Sequence, residues 1–175
     1  MKKGLIQVYT GDGKGKTTAA FGLALRALGR GLAVIVVQFM KTEVTGELIA
    51  AKTFDQFTVI RVNTSPKFSW KMNSTELEQL ASETQNGYKK ACSIAREGSC
   101  DILILDEINH AIHNGYISES DILHLFSIKP ENMELVFTGR NAPEWLIDRA
   151  DLVTEMKCTK HPYTKGIGAR TGIEN

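Results

Sequence analysis

The sequence predicts an α/β protein with a mainly parallel sheet of about six strands held in a three-layer arrangement. Three observations carry this. Short apolar runs alternate along the chain with stretches of helical period. A glycine-rich loop separates the first run from the first helix. Farther on, the apolar run Ile102-Leu-Ile-Leu105 ends in two carboxylates, Asp106 and Glu107.

The first strand is Leu5 to Tyr9, apolar apart from Gln7. The first helix is expected from Thr17, with Ala20, Leu23, Ala24, Ala27 and Leu28 on one face. Gly29-Arg-Gly31 stops it, and Leu32 to Phe39 is the nearly unbroken apolar run that a strand covered on both faces requires. A short helix at Glu47 to Thr53 and a third strand at Phe57 to Val62 follow. Asn63 to Met72 reads as a loop holding Pro66, Phe68 and Trp70. Asn73 caps a long helix, Glu76 completes its capping box, and Gly98 ends it. The fourth strand runs from Asp101 into Asp106 and Glu107, and the fifth from Met133 into Gly139 and Arg140. Asn141-Ala-Pro-Glu144 has the form of a helix start with Asn141 as N-cap. Asp151 to Met156 is the sixth strand, and the basic, glycine-rich tail from Lys157 shows no helical period.

With 175 residues, 42% of them hydrophobic, the chain is expected to fold as one domain. A formal net charge of +1 argues against nucleic acid or a membrane surface as partners held by bulk electrostatics. Cys92, Cys100 and Cys158 show no C-x-x-C spacing and suggest neither a disulfide framework nor a zinc site. No stretch approaches the roughly 18 apolar residues of a membrane span, so a soluble, cytoplasmic protein is expected.

Thr10-Gly-Asp-Gly-Lys-Gly-Lys-Thr17, set between strand and helix, has the chemistry of a phosphate-binding P-loop. Backbone N–H groups freed by Gly11, Gly13 and Gly15 can turn toward an anion, and the helix start directs its positive dipole end to the same place. Lys16 would reach terminal phosphates, and the Thr17 hydroxyl would ligate Mg²⁺. Two departures stand out. Thr10 takes the first glycine position of the usual pattern, and Lys14 adds a second ammonium to the loop. Asp106 and Glu107, at a strand's C-terminal end, occupy the place of a magnesium-holding acid in such a fold. Arg140, also in a strand-end loop, is a candidate phosphate contact. His110 and His113 share a helical spacing but lack a third ligand.

The P-loop together with Val37-Gln-Phe-Met-Lys41, Gly46-Glu47, Phe68-Ser-Trp70, Leu105-Asp-Glu107, Thr138-Gly-Arg140 and the ending Lys160-His161 through Gly172-Ile173 resembles the ATP:cob(I)alamin adenosyltransferases of the P-loop corrinoid type. The resemblance extends from the first strand to the last residues. It implies transfer of the 5′-deoxyadenosyl group of ATP to the cobalt of a reduced corrinoid, with release of triphosphate. Co(I) is itself the nucleophile, so no activated serine, cysteine or histidine is needed. The resemblance further implies nucleotide binding by Gly11, Asp12, Gly13, Lys14, Gly15, Lys16, Thr17, Thr18 and Arg140. Lys14 and Lys16 would neutralise the leaving group. The triphosphate would lie reversed relative to most P-loop enzymes. Thr17 and Glu107 would hold Mg²⁺, or Mn²⁺ in its place, with Asp106 beside them. Phe68 and Trp70 would cover the lower face of the corrinoid, displace its axial base and ease reduction. A flavin-type reductase and a homodimer are implied as partners. Asp12 stands where the family often has asparagine, which is tolerable if its carboxylate turns away to bond backbone. A start so close to the first strand, without the relatives' N-terminal extension, leads to the expectation of altered corrinoid affinity and site cover. The alternatives are a P-loop ATPase or kinase acting on the γ-phosphate, and a nucleotide-switched corrinoid carrier. The carrier would be expected to show a D-x-H-x-x-G motif, which is absent from the sequence.

Overall fold

The computed structural model describes residues 3–42, 44–67 and 69–173; Phe68 lies outside the described residues. Strands and helices alternate as β1 (Ile6–Thr10), α1 (Lys16–Leu28), β2 (Val34–Gln38), α2 (Gly46–Ala51), β3 (Phe57–Arg61), α3 (Ser74–Glu97) and β4 (Ile102–Asp106). Then come α4 (Ile108–His113), α5 (Glu119–Ile128), β5 (Glu134–Thr138), α6 (Glu144–Arg149) and β6 (Leu152–Glu155). Single 3₁₀ turns occur at Ser69–Lys71 and Pro162–Lys165. The strands form one sheet in the order β3-β2-β4-β5-β1-β6, every neighbouring pair parallel.

Alternation along the central strands explains their unbroken apolar runs. In β4, Ile102 and Ile104 face α1 with Ala20, Phe21, Ala24 and Ala27, while Leu103 and Leu105 face the opposite layer with Tyr88, Ala91, Ile108 and Leu125. Both faces are therefore dry, and each fully buried Leu, Ile or Phe contributes about 1.5–3 kcal/mol. Gln7, the polar break in β1, serves a partly buried chain: Tyr9 Oη donates to Gln7 Oε1 at 2.5 Å, and Gln7 Nε2 donates to Glu134 Oε1 at 2.5 Å.

Asn73 and Glu76 form the expected capping box of α3. Two features differ from expectation. Between β4 and β5 lie α4 and α5, which the sequence marks only weakly; α5 begins in a capping box of Ser118 and Asp121. Asn141 does not cap α6. Its backbone is left-handed (φ 56°), the chain turns there, and the helix starts after Pro143 without a side-chain cap. No described helix is long and apolar enough to cross a membrane.

Candidate functional site

The C-terminal ends of β1, β2, β4 and β5 meet along one edge of the sheet, and the candidate residues gather there. β5 lies between β1 and β4, so the loop after β1 and the acids after β4 are held apart by one strand, which contributes Thr138 to the space between them.

The loop is closed around its own lysine. Lys16 Nζ donates to the carbonyls of Gly11 and Gly13 at 2.7 and 2.6 Å, and the residue is buried. Burial lowers its pKa; Glu107 and Asp12 oppose that shift while Arg140 and Lys41 add to it. The glycines answer to the neighbouring chain as well as to any anion. Gly11 has φ 95°, and a Cβ there would lie 2.4 Å from the Met156 carbonyl oxygen. A Cβ on Gly13 would come within 2.7 Å of the same atom, to which the Gly13 N–H donates at 2.7 Å. The Thr10 departure has a local reason. The positive-φ turn falls at Gly11, while the buried Thr10 accepts a hydrogen bond from Ala142 N at 3.2 Å, tying β1 to the loop after β5. Asp12 turns its carboxylate outward to accept from Cys158 N at 3.2 Å. Lys14 is exposed, and its Nζ donates to the Ile173 carbonyl at 2.7 Å, so the tail returns to the loop.

Around Asp106 the contacts are dense. Its carboxylate is fully buried and accepts from Thr17 Oγ1 at 2.9 Å, Thr138 Oγ1 at 2.7 Å, Gln38 Nε2 at 2.9 Å and Lys41 Nζ at 2.9 Å. Burial pushes its pKa up, but the Lys41 charge and these hydrogen bonds outweigh burial and hold it below the usual carboxylate range. Glu107 is left-handed (φ 61°), a costly conformation for a non-glycine residue. Thr138 Oγ1 accepts its N–H at 2.9 Å, and its carboxylate lies 3.8 Å from Lys41 Nζ. The carboxylate in direct contact with Thr17 is therefore Asp106, with Glu107 near the same ammonium.

The structure thus brings Gly11, Gly13, Gly15, Lys16, Thr17, Asp106 and Glu107 to one edge, with Arg140 electrostatically coupled to Lys16. Thr18, on the first turn of α1, is exposed. Trp70 stands in the 3₁₀ turn, 74% exposed. Its loop is fastened to α3 by Thr64, whose N and Oγ1 donate to Glu83 at 3.0 and 2.6 Å, and by a Lys67–Glu76 ion pair. His110 and His113 lie on α4, and among the described residues no group of three or more His, Cys, Asp or Glu could hold a metal.

Lys41, Gln38, Thr138 and Asn63 are site residues that the sequence reading does not single out individually. Gln38 and Thr138 had a usable signal: each is a polar residue ending an apolar strand. Gln38 Oε1 and Asn109 Oδ1 are buried without a hydrogen-bond partner in the described structure.

Comparison with known proteins places this geometry in context. Residues 2–175 match the family model described as ATP:corrinoid adenosyltransferase BtuR/CobO/CobP. A corrinoid adenosyltransferase of Sinorhizobium sp is 40% identical over 179 residues, covering 99% of this chain and 81% of the relative. One of Pseudomonas aeruginosa is 34% identical over 174 residues, covering 99% and 84%. Among solved structures, the flagellar accessory protein FlaH from Methanocaldococcus jannaschii superposes with TM-score 0.54 at 16% identity, over 89% of this chain and 72% of that one. That last likeness concerns the fold alone.

Proposed function

This chain belongs to the ATP:corrinoid adenosyltransferase family, and from that premise we propose how its residues carry out the transfer. The enzyme transfers the 5′-deoxyadenosyl group of ATP to the cobalt of a reduced corrinoid. The Co(I) electron pair forms the cobalt–carbon bond at C5′ as the C5′–O bond breaks, and triphosphate leaves with that bond's electrons. The protein supplies alignment and a place for the leaving group's charge.

The observation that carries this reading is the pairing of Lys16, poised inside the loop, with a neighbouring set of hard oxygens. On substrate binding Lys16 exchanges the Gly11 and Gly13 carbonyls for phosphate oxygens, and backbone N–H groups of Lys14 to Thr17 face the same anion. Lys14, at the loop's outer side, and Arg140 add positive charge along the triphosphate. Thr18 completes the helix start, and Asp12 keeps its carboxylate turned away. Thr17, Asp106 and Glu107 offer oxygen donors, a set that suits Mg²⁺ or Mn²⁺ and no soft metal. A divalent ion there would supply charge neutralisation of the triphosphate. Trp70, with Phe68, forms the lower face of the corrinoid site. The loop from Asn63 begins beside Met40, where Met40 N donates to Asn63 Oδ1 at 2.8 Å, and a root next to Lys41 supports this reading. A flavin-type reductase delivers the electron, the chain acts as a single domain within a homodimer, and the enzyme works in the cytoplasm.

The test is anaerobic incubation with chemically reduced cobalamin, ATP and Mg²⁺. Loss of the Co(I) spectrum, a light-sensitive alkylcobalamin and stoichiometric triphosphate are expected. Unchanged corrinoid with steady ADP release would overturn the reading in favour of an ATPase or kinase.

A further inference from the structure

Among the described residues, Lys41 is the cation in direct contact with the buried carboxylate. It follows β2, and its Nζ donates to Thr17 Oγ1 at 2.7 Å and to Asp106 Oδ2 at 2.9 Å, with Glu107 Oε1 at 3.8 Å. These three oxygens are the donor set assigned above to the divalent ion. We propose that Lys41 is the resident cation of the metal position: it holds these oxygens together in the nucleotide-free enzyme, leaves when metal arrives with ATP, and then pairs with the triphosphate.

The reasoning is electrostatic and geometric. Asp106 is wholly buried, and a buried carboxylate without a partner is strongly disfavoured. An ammonium within hydrogen-bond reach of Thr17 and Asp106 cannot stay there beside a divalent ion that binds the same oxygens, because the two cations repel at short range. Lys41 has somewhere to go. Its side chain is 28% exposed, and its four-carbon stem is flexible.

The placement of Lys41 is built in. Met40 is left-handed (φ 55°), so the chain reverses at the end of β2. A buried relay fixes that turn: Thr84 Oγ1 donates to Leu80 O at 2.7 Å, Asn63 Nδ2 donates to Thr84 Oγ1 at 3.2 Å, and Asn63 Oδ1 accepts the Met40 N–H. Arg61 Nη1 donates to Thr42 O at 2.7 Å on the other side of the lysine. Strained backbone held by buried polar groups is characteristic of a functional position. The consequence is an order of loading. Free divalent metal binds the empty enzyme weakly, and metal enters together with the nucleotide.

The inference rests on the metal reading above, and Mn²⁺ titration followed by electron paramagnetic resonance separates the two. Without nucleotide, Lys41→Met is expected to bind Mn²⁺ about tenfold or more tightly than wild type, since an opposing charge has been removed. Lys41→Arg should stay weak. With inorganic triphosphate present, Lys41→Met should lose about tenfold in triphosphate affinity. A gain in metal binding cannot come from misfolding, and Lys41→Gln serves as a second neutral variant if Lys41→Met does not fold. Neutral variants that bind Mn²⁺ no better than wild type would overturn the proposal. If Thr17→Ala and Glu107→Gln leave Mn²⁺·ATP affinity unchanged, the metal reading itself fails.

Discussion

Thr17 Oγ1 donates to Asp106 Oδ1 at 2.9 Å, joining the first turn of α1 to the end of β4 across the width of β5. The glycine-rich loop and the acidic strand end are thereby joined as one unit. Removing either partner should disturb both stability and nucleotide binding. Asp106→Asn leaves Lys41 facing a neutral group and is expected to cost about 1–3 kcal/mol, read from the urea midpoint, together with a large loss of turnover.

The depressed pKa of Asp106 gives a pH signature. Its folded-state value lies below the unfolded one of about 3.9, so its contribution is complete above that value and is lost as pH falls through the folded value. In EDTA, stability of the wild type should therefore fall more steeply below about pH 4 than that of Asp106→Asn. Parallel curves would mean the carboxylate is not selectively stabilised by folding.

Lys16→Ala should remove the charge inside the loop with little harm to the fold. Triphosphate release with chemically reduced corrinoid is expected to drop by about 10²–10³ or more. Retention of activity within a few-fold would exclude Lys16 from stabilising the leaving group.

Gly11→Ala combines a forbidden φ with a Cβ 2.4 Å from the Met156 carbonyl oxygen. It should destabilise by more than about 1 kcal/mol and weaken triphosphate binding, both measurable by thermal shift with and without the ligand.

Trp70, 74% exposed, should be dispensable for stability. Trp70→Ala is expected to change stability by less than about 0.5 kcal/mol and to leave ATP affinity near wild type. Turnover coupled to enzymatic reduction of the corrinoid should fall far more. Unchanged turnover on oxidised corrinoid would rule out the lower-face role.

The sequence determined the strand order along the chain, the glycine-rich loop between β1 and α1, the α3 capping box and the two acids, because each is encoded by residues adjacent in sequence: glycine spacing, a cap and its partner three residues on, an apolar run and what ends it. Its resemblance to a corrinoid adenosyltransferase agrees with the comparisons over nearly the whole chain. Tertiary structure decided the rest. The helix α5 has only a capping box and weak apolar periodicity to announce it, and Asn141 resembles a cap until the loop turns at a left-handed residue. Gln38 and Lys41 come from the end of β2 and Thr138 from the end of β5, and only the spatial order β2-β4-β5 brings them onto one carboxylate at the end of β4. That convergence depends on parallel pairing between segments far apart in sequence, which no local pattern of residues records.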